Sequence, residues 1–211
     1  MRLVAGIDLG STQAKAVLID EASRVVGTAS VRIDGNPADV ARRALDLALT
    51  AAQATEQDVV YCASTGVGRY EVPFRDLPIT ETTCFGRGAA FLFPSTRCVL
   101  EIGARGLRAI RIRPLGKVEG CKDDRIVPED DLGADGDVSG RMYGFLVMRS
   151  LALLTALGLE PQLTLVGGLA REAGLVRSMR ALAKVPVNVP NEPEVAGALG
   201  AALLGAERSR R

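Results

Sequence analysis

The chain has no histidine and no tryptophan. Without an imidazole there is no Ser-His-Asp triad, no histidine general base and no histidine metal ligand. Aromatic residues make up only 4% of the sequence, so the core has to be built from Ala, Val, Leu and Ile. An excess of one charge is also missing: 26 Lys and Arg stand against 25 Asp and Glu, a formal net charge of +1. That balance argues against electrostatically driven nucleic-acid binding. No apolar run reaches the roughly 20 residues of a membrane span, and Asp8 and Gly10 interrupt any apolar signal core near the N-terminus. A cytoplasmic protein with neither a membrane nor a nucleic-acid partner is expected. Cysteine is scarce. Cys62, Cys84, Cys98 and Cys121 contain no Cys-x-x-Cys pair, and Cys62 and Cys98 fall in apolar, strand-like runs, so buried reduced thiols are the expectation.

What is present begins with the first twenty residues. Leu3 to Asp20 reads as a strand, a Gly-centred turn and a second strand. The apolar run delivers Asp8 to the reversal, Gly10 allows a tight turn, and Ser11, Thr12 and Gln13 place side-chain donors beside exposed backbone N–H groups. Hard oxygen for a metal and donors for phosphate oxygens suit a magnesium-bound polyphosphate. The ordinary alternative is a hairpin whose Asp-Leu-Gly-Ser fills a turn.

A length of 211 residues admits one large domain or two small lobes. Further strands are predicted over 24–33, 59–64, 97–102, 107–112, 163–166 and 187–189 from their β-branched and apolar runs. Helices are predicted over 38–57 after Asn36-Pro37, over 80–93 entered through Thr82 or Thr83, and over 141–157 capped by Asp137 or Ser139. Two more are predicted over 172–184 and 194–207. Between Gly120 and Gly136 the acidic run reads as a solvated loop. Glu101-Ile102-Gly103-Ala104 between two strands echoes Ile7-Asp8-Leu9-Gly10. That echo predicts an internal repeat with lobes at 1–95 and 96–211.

Four signals follow in order: Gly6 to Thr12, Leu100 to Ala104, Leu165-Val166-Gly167-Gly168-Leu169-Ala170, and Gly197 to Ala202. Together they resemble the sugar kinase/Hsp70/actin ATPase superfamily, an α/β fold of two RNase H-like lobes with ATP in the interlobe cleft. Ser64 to Arg69, Thr80 to Ala89, Arg108 to Arg111 and Gly116 to Glu119 narrow the resemblance. They point to the ATPase activators of 2-hydroxyacyl-CoA dehydratases and the ATPase subunits of benzoyl-CoA reductase. The resemblance spans about residues 3–119 and 137–205.

The resemblance implies roles. Asp8 holds magnesium through water. Gly10, Ser11, Thr12 and Gln13 contact the β- and γ-phosphates of ATP or ADP, with Lys15 nearby; a solvated strand residue is the alternative for Lys15. Gly103 and Ala104 form a second phosphate loop, and Gly167 and Gly168 pass close to the adenosine. Glu101 stands where the family usually has Asp, one methylene shorter, followed by two glycines. Asp8 and Glu101 are the catalytic candidates. The family's shared 4Fe–4S cluster takes two Cys per subunit from an inserted region. Here the stretch from Cys121 to Asp137 is too short for that region and holds only Cys121, so no cluster is expected.

The expected function is an ATP-binding, ATP-hydrolysing subunit in a homo- or heterodimer, coupling nucleotide state to a CoA-ester dehydratase or reductase component. The alternative is a degenerate, non-catalytic scaffold or regulatory subunit of such a complex. A small-molecule kinase fits less well, because too little chain remains to build a sugar pocket and no positioned base can be named.

Overall fold

The computed structural model describes residues 1–125 and 138–210, with residues 138–141 as backbone only. Strand β1 (Leu3–Leu9) is buried along its whole length, because helices cover both of its faces. It pairs antiparallel with β2 (Gln13–Ile19), and β2 with β3 (Val25–Arg32). On its other side β1 pairs parallel with β4 (Val59–Thr65), and β4 with β5 (Leu77–Pro78). The order is β3-β2-β1-β4-β5.

Period-two alternation sorts the side chains. Leu3, Ala5, Ile7 and Leu9 form a core with Val40, Ala41, Ala44, Leu45 and Ala48 of α1 (Pro37–Ala51). Each fully buried Leu or Ile contributes about 1.5–3 kcal/mol of transfer free energy. Helix α1 starts where Pro37 presets φ and Asn36 Oδ1 accepts from Ala38 N at 2.9 Å. The even-numbered row of β1 points the other way. Val4 joins Val17 and Ile19 under Ala198, Leu199, Ala202 and Leu203 of α5 (Ala196–Ser209).

Helix α5 lies close because no side chain intervenes. A Cβ on Gly6 would stand 2.5 Å from Ala202 N, and one on Gly200 would stand 2.9 Å from Cys84 Cα in α2 (Glu81–Leu92).

The second sheet repeats the pattern of the first. Strands β6 (Cys98–Gly103), β7 (Gly106–Ile112) and β8 (Val118–Arg125) form an antiparallel meander, and β9 (Leu163–Val166) and β10 (Val187–Asn188) extend it in parallel. The order β10-β9-β6-β7-β8 matches the first sheet strand for strand. Cys98, Leu100, Ile102, Leu163 and Leu165 pack beneath Leu146, Val147 and Leu154 of α3 (Val138–Leu157). Leu175 and Met179 of α4 (Ala173–Leu182) close the same core.

Packing divides the chain into one unit of Met1–Gly88 with Val195–Arg211 and another of Ala89–Glu194. The expected lobes, 1–95 and 96–211, differ from this mainly at the last helix. The apolar stripe of α5 is buried on β1 and β2, so the chain returns to its first unit at the end.

Two further expectations change. The acidic run is a strand, not a loop, as far as Arg125, because edge-strand pairing with β7 uses backbone groups. Its charged side chains find partners: Arg108 Nε donates to Asp123 at 2.8 Å, and Arg149 donates to both oxygens of Asp124. The rest of that run, 126–137, lies outside the described residues, as does the expected cap Asp137. Helix α2 begins at Glu81, so it is entered through Thr80 rather than Thr82 or Thr83, and the Thr80 and Thr83 hydroxyls are 2.8 Å apart.

Candidate functional site

Asp8 sits at the end of the even-numbered row of β1, after Val4 and Gly6, so its carboxylate points toward the α5 side of the first sheet. It is 4% exposed. Burial of an ionised carboxylate is unfavourable by several kcal/mol unless it is paired. The pair is on the neighbouring strand. Lys15 lies directly across from Asp8 in the β1–β2 register, on the same face, and its Nζ is 3.4 Å from Asp8 Oδ2. The side chains of Lys15 and Asp8 are 15% and 6% exposed.

Two glycines enclose the carboxylate. Gly66 follows β4 with φ of 91°, a conformation that strains any side chain, and a Cβ there would stand 2.7 Å from Asp8 Oδ1. Gly197, in the first turn of α5, would bring a Cβ to 3.2 Å from Asp8 Oδ2. The N-terminal end of α5 adds its partial positive charge beside the carboxylate. Thr65, the other cross-strand neighbour of Asp8, is buried beside the Cys84 thiol.

The turn beyond Asp8 is short and open. Gly10 N donates to Gln13 O at 3.0 Å, Ser11 and Thr12 are exposed, and Gln13 is half-buried. Space at Gly10 is tight: a Cβ would stand 3.1 Å from Gln13 O, with Lys15 Nζ 3.4 Å away. The loop after β4 braces this turn from behind, with Gly68 N donating to Leu9 O at 2.9 Å and Arg69 Nη1 to Gly66 O at 3.1 Å.

In the second unit the equivalent strand end carries Glu101. Its carboxyl group folds back along its own strand, so that a Cβ on Gly103 would stand 3.3 Å from Glu101 Cδ. Gly103 faces Gly106 across a two-residue reversal whose tip, Ala104-Arg105, is exposed. Glu101 is also the register neighbour of Val166 on β9, and the next residue, Gly167, packs on Ile102. Gly167 has φ of 92° and donates to Pro193 O at 2.9 Å. Gly168 is exposed, with nothing within 4 Å of where its Cβ would be.

The structure therefore brings Asp8, Gly10, Gln13 and Lys15 together in the first unit. Glu101, Gly103, Gly167 and Gly168 come together in the second, with Ala104 at the tip of the adjoining turn. Sequence reasoning left out Gly66 and Gly197 as neighbours of Asp8. Both lie in stretches that carried the resemblance, Ser64 to Arg69 and Gly197 to Ala202, but only the fold shows that they meet one carboxylate.

The cysteines are separate. Burial pushes the Cys62 thiol up to about 12, with Asp76 nearby adding to the effect, and burial likewise pushes Cys84 up to about 12. Cys98 is buried and also raised, while Cys121 on β8 is exposed, contrary to the expectation of a buried thiol. Among the described residues no three His, Cys, Asp or Glu side chains converge as a metal site.

Comparison with known proteins places the chain in a family and a fold. The BadF/BadG/BcrA/BcrD ATPase family matches residues 5–123. The activator of lactoyl-CoA dehydratase from Anaerotignum propionicum is 26% identical over 255 residues, with 98% of each chain covered. That span exceeds this chain's 211 residues, so the relative carries residues that this chain lacks. A benzoyl-CoA reductase subunit from Thauera aromatica is 28% identical, covering 100% of this chain and 95% of its own. Among solved structures, the activator of the 2-hydroxyisocaproyl-CoA dehydratase from Clostridium difficile with bound ADPNP superposes with a TM-score of 0.87. It is 21% identical, and 99% of this chain and 96% of that one are covered, which establishes a shared fold.

Proposed function

The chain belongs to the BadF/BadG/BcrA/BcrD ATPase family, and from that premise we propose that it binds and hydrolyses ATP and couples the nucleotide state to a partner enzyme acting on CoA esters. The observation that carries the proposal is the Asp8 turn. A buried carboxylate at a strand end, paired with Lys15, meets glycines rather than side chains at positions 66 and 197, beside the exposed Ser11 and Thr12.

Asp8 fits magnesium as that ion is ordinarily bound beside a nucleotide, through one carboxylate, water and phosphate oxygens. When bound, the ion offsets the charge that develops on the phosphates. Gly10, Ser11, Thr12 and Gln13 are assigned the β- and γ-phosphates, Gly103 and Ala104 a second phosphate contact, and Gly167 and Gly168 the adenosine. Glu101 is the acid of the second turn, and its carboxyl over Gly103 is where it would orient the attacking water.

A 4Fe–4S cluster does not fit the cysteines. Cys62, Cys84 and Cys98 are each buried in a different hydrophobic cluster, which leaves Cys121 as the one exposed thiol, and a cluster needs several cysteines at one place. The similarity to activators and to a reductase subunit supports a partner that is a CoA-ester dehydratase or reductase component, or a related ATPase subunit, met as a homo- or heterodimer in the cytoplasm.

One feature favours a second reading, in which nucleotide is bound but not turned over: the Glu101 carboxyl lies across Gly103, its Cδ 3.3 Å from where a Cβ there would stand. Calorimetric titration with Mg-ATP and a phosphate-release assay separate the two. Binding with release supports the ATPase, binding without release supports the scaffold, and no binding at millimolar Mg-ATP refutes both. Recovery of release in Glu101→Asp would identify a site tuned by one methylene.

A further inference from the structure

We infer that Lys15 is the resident counter-ion of Asp8, and that it makes magnesium binding conditional on nucleotide. This rests on the nucleotide assignment above and extends it to the order and coupling of binding. Three observations carry it. Asp8 is 4% exposed, and among the described residues its ion-pair partner is Lys15, at 3.4 Å. The lysine side chain is itself largely enclosed, with an exposure of 15%, and the carboxylate side chain more so at 6%, so salt screens this partly buried pair less than a surface pair. The same Nζ lies over the phosphate-binding turn, 3.4 Å from where a Cβ on Gly10 would stand. One ammonium therefore lies beside both the carboxylate that would face the metal and the glycine that would face the phosphates.

The consequence follows from charge. A free dication approaching Asp8 has to share the carboxylate with an ammonium whose ion-pair partner among the described residues is that same carboxylate. Repulsion from Lys15 opposes binding, and removing Lys15 from Asp8 would leave it partly buried and unpaired. A polyphosphate changes this. Phosphate oxygens over Gly10 give the ammonium a new partner without a large movement, because the lysine stem is flexible and its head can donate in three directions. Asp8 is then released to the metal that arrives with the phosphates. Magnesium and nucleotide become positively coupled, and by linkage each raises the affinity of the other by the same factor. A lysine that served merely as a phosphate contact would leave the affinity for the free ion unchanged.

The test measures Mg2+ and ADP binding separately and together, by calorimetry and by thermal shift, on the wild type and on Lys15→Gln. In the wild type, Mg2+ alone should bind weakly, with Kd above about 1 mM and no thermal shift, while Mg2+ should tighten ADP at least about tenfold. Lys15→Gln should bind Mg2+ alone about tenfold or more tighter than the wild type and be stabilised by it. It should bind metal-free ADP more weakly, and the coupling factor should fall toward one. Unchanged Mg2+ affinity in Lys15→Gln would overturn the counter-ion role. So would tight binding of Mg2+ alone to the wild type, a result that does not depend on whether the variant folds. The double variant Asp8→Asn/Lys15→Gln should lose the response to Mg2+ alone; its persistence would place the ion elsewhere and also overturn the inference. Failure of the wild type to bind ADP under any condition would instead refute the nucleotide assignment itself.

Discussion

The seat of α5 on β1 offers the sharpest test of how the site is held, and Gly6→Ala is the perturbation. A Cβ at Gly6 would stand 2.5 Å from Ala202 N and nearer still to Ala198 O. Ordinary carbon contacts lie at about 3.5–4.0 Å, so α5 would have to retreat by about 1 Å or more. Both neighbours are backbone atoms in a continuous helix, and no rotamer change relieves the clash. Retreat would also loosen Ala198, Leu199, Ala202 and Leu203 from Val4, Val17 and Ile19. Overpacking of this kind costs about 1–3 kcal/mol, and a backbone obstacle puts Gly6→Ala at the upper end. For a chain of this size, 1 kcal/mol moves the midpoint by about 2–4 °C, so a loss of roughly 6–12 °C is expected by calorimetry. Because Gly197 sits at 3.2 Å from Asp8 Oδ2 by the same measure, nucleotide affinity should weaken as well. Gly144→Ala is the control. It lies in α3 with nothing within 4 Å of a Cβ, and should raise stability by about 0.5–1 kcal/mol. A Gly6→Ala midpoint within about 2 °C of the wild type would refute the backbone-contact account of the α5 seat.

Asp8→Asn should abolish the magnesium dependence of nucleotide binding, read by titration with and without a chelator, while native far-ultraviolet circular dichroism shows the fold intact. Glu101→Gln should stop phosphate release but leave ADP affinity within about threefold, because the carboxylate is assigned to the water and not to ground-state binding. Arg149→Ala removes the two-oxygen contact to Asp124, each side chain about a quarter exposed, and should cost about 1 kcal/mol in denaturant unfolding. Thiol labelling at pH 8 should reach Cys121 quickly and the other three cysteines only on unfolding. Cys62 and Cys84 are raised from 9.0 to about 12, so their protons are held more tightly in the folded state. Their contribution to stability is complete below about pH 9 and is lost as pH rises toward 12. A Cys62→Ala/Cys84→Ala variant should flatten that alkaline decline, and an unchanged decline would count against it.

Much of the fold was legible locally. Leu163–Val166 is bounded as its apolar run predicts, and α1 begins where Asn36 and Pro37 require. Those signals depend only on neighbouring residues. The strand β8 was not legible, because an edge strand can carry Lys122, Asp123 and Asp124 on exposed backbone and so shows no apolar alternation. The grouping of α5 with the first unit was hidden too, since a Gly- and Ala-rich helix reads the same whichever sheet it covers. At the site, Asp8, Gly10 and the exposed donors were readable from one continuous turn. Gly66 and Gly197 were not, because both lie far along the chain and meet Asp8 only through β1–β4 pairing and the return of α5.

The sequence by itself determined that an acid would stand at a strand end before a glycine turn, that a second strand end would carry Glu101 in the same setting, and that histidine chemistry was excluded. These are consequences of composition, periodicity and residue order, which act over a few residues. Only the tertiary structure decided that Asp8 is buried, that two distant glycines pack against its oxygens where a side chain would crowd them, and that Lys15 is its partner rather than a solvated strand residue. Those facts depend on strand register and helix seating, where a shift of one residue would turn the same side chains to the opposite face.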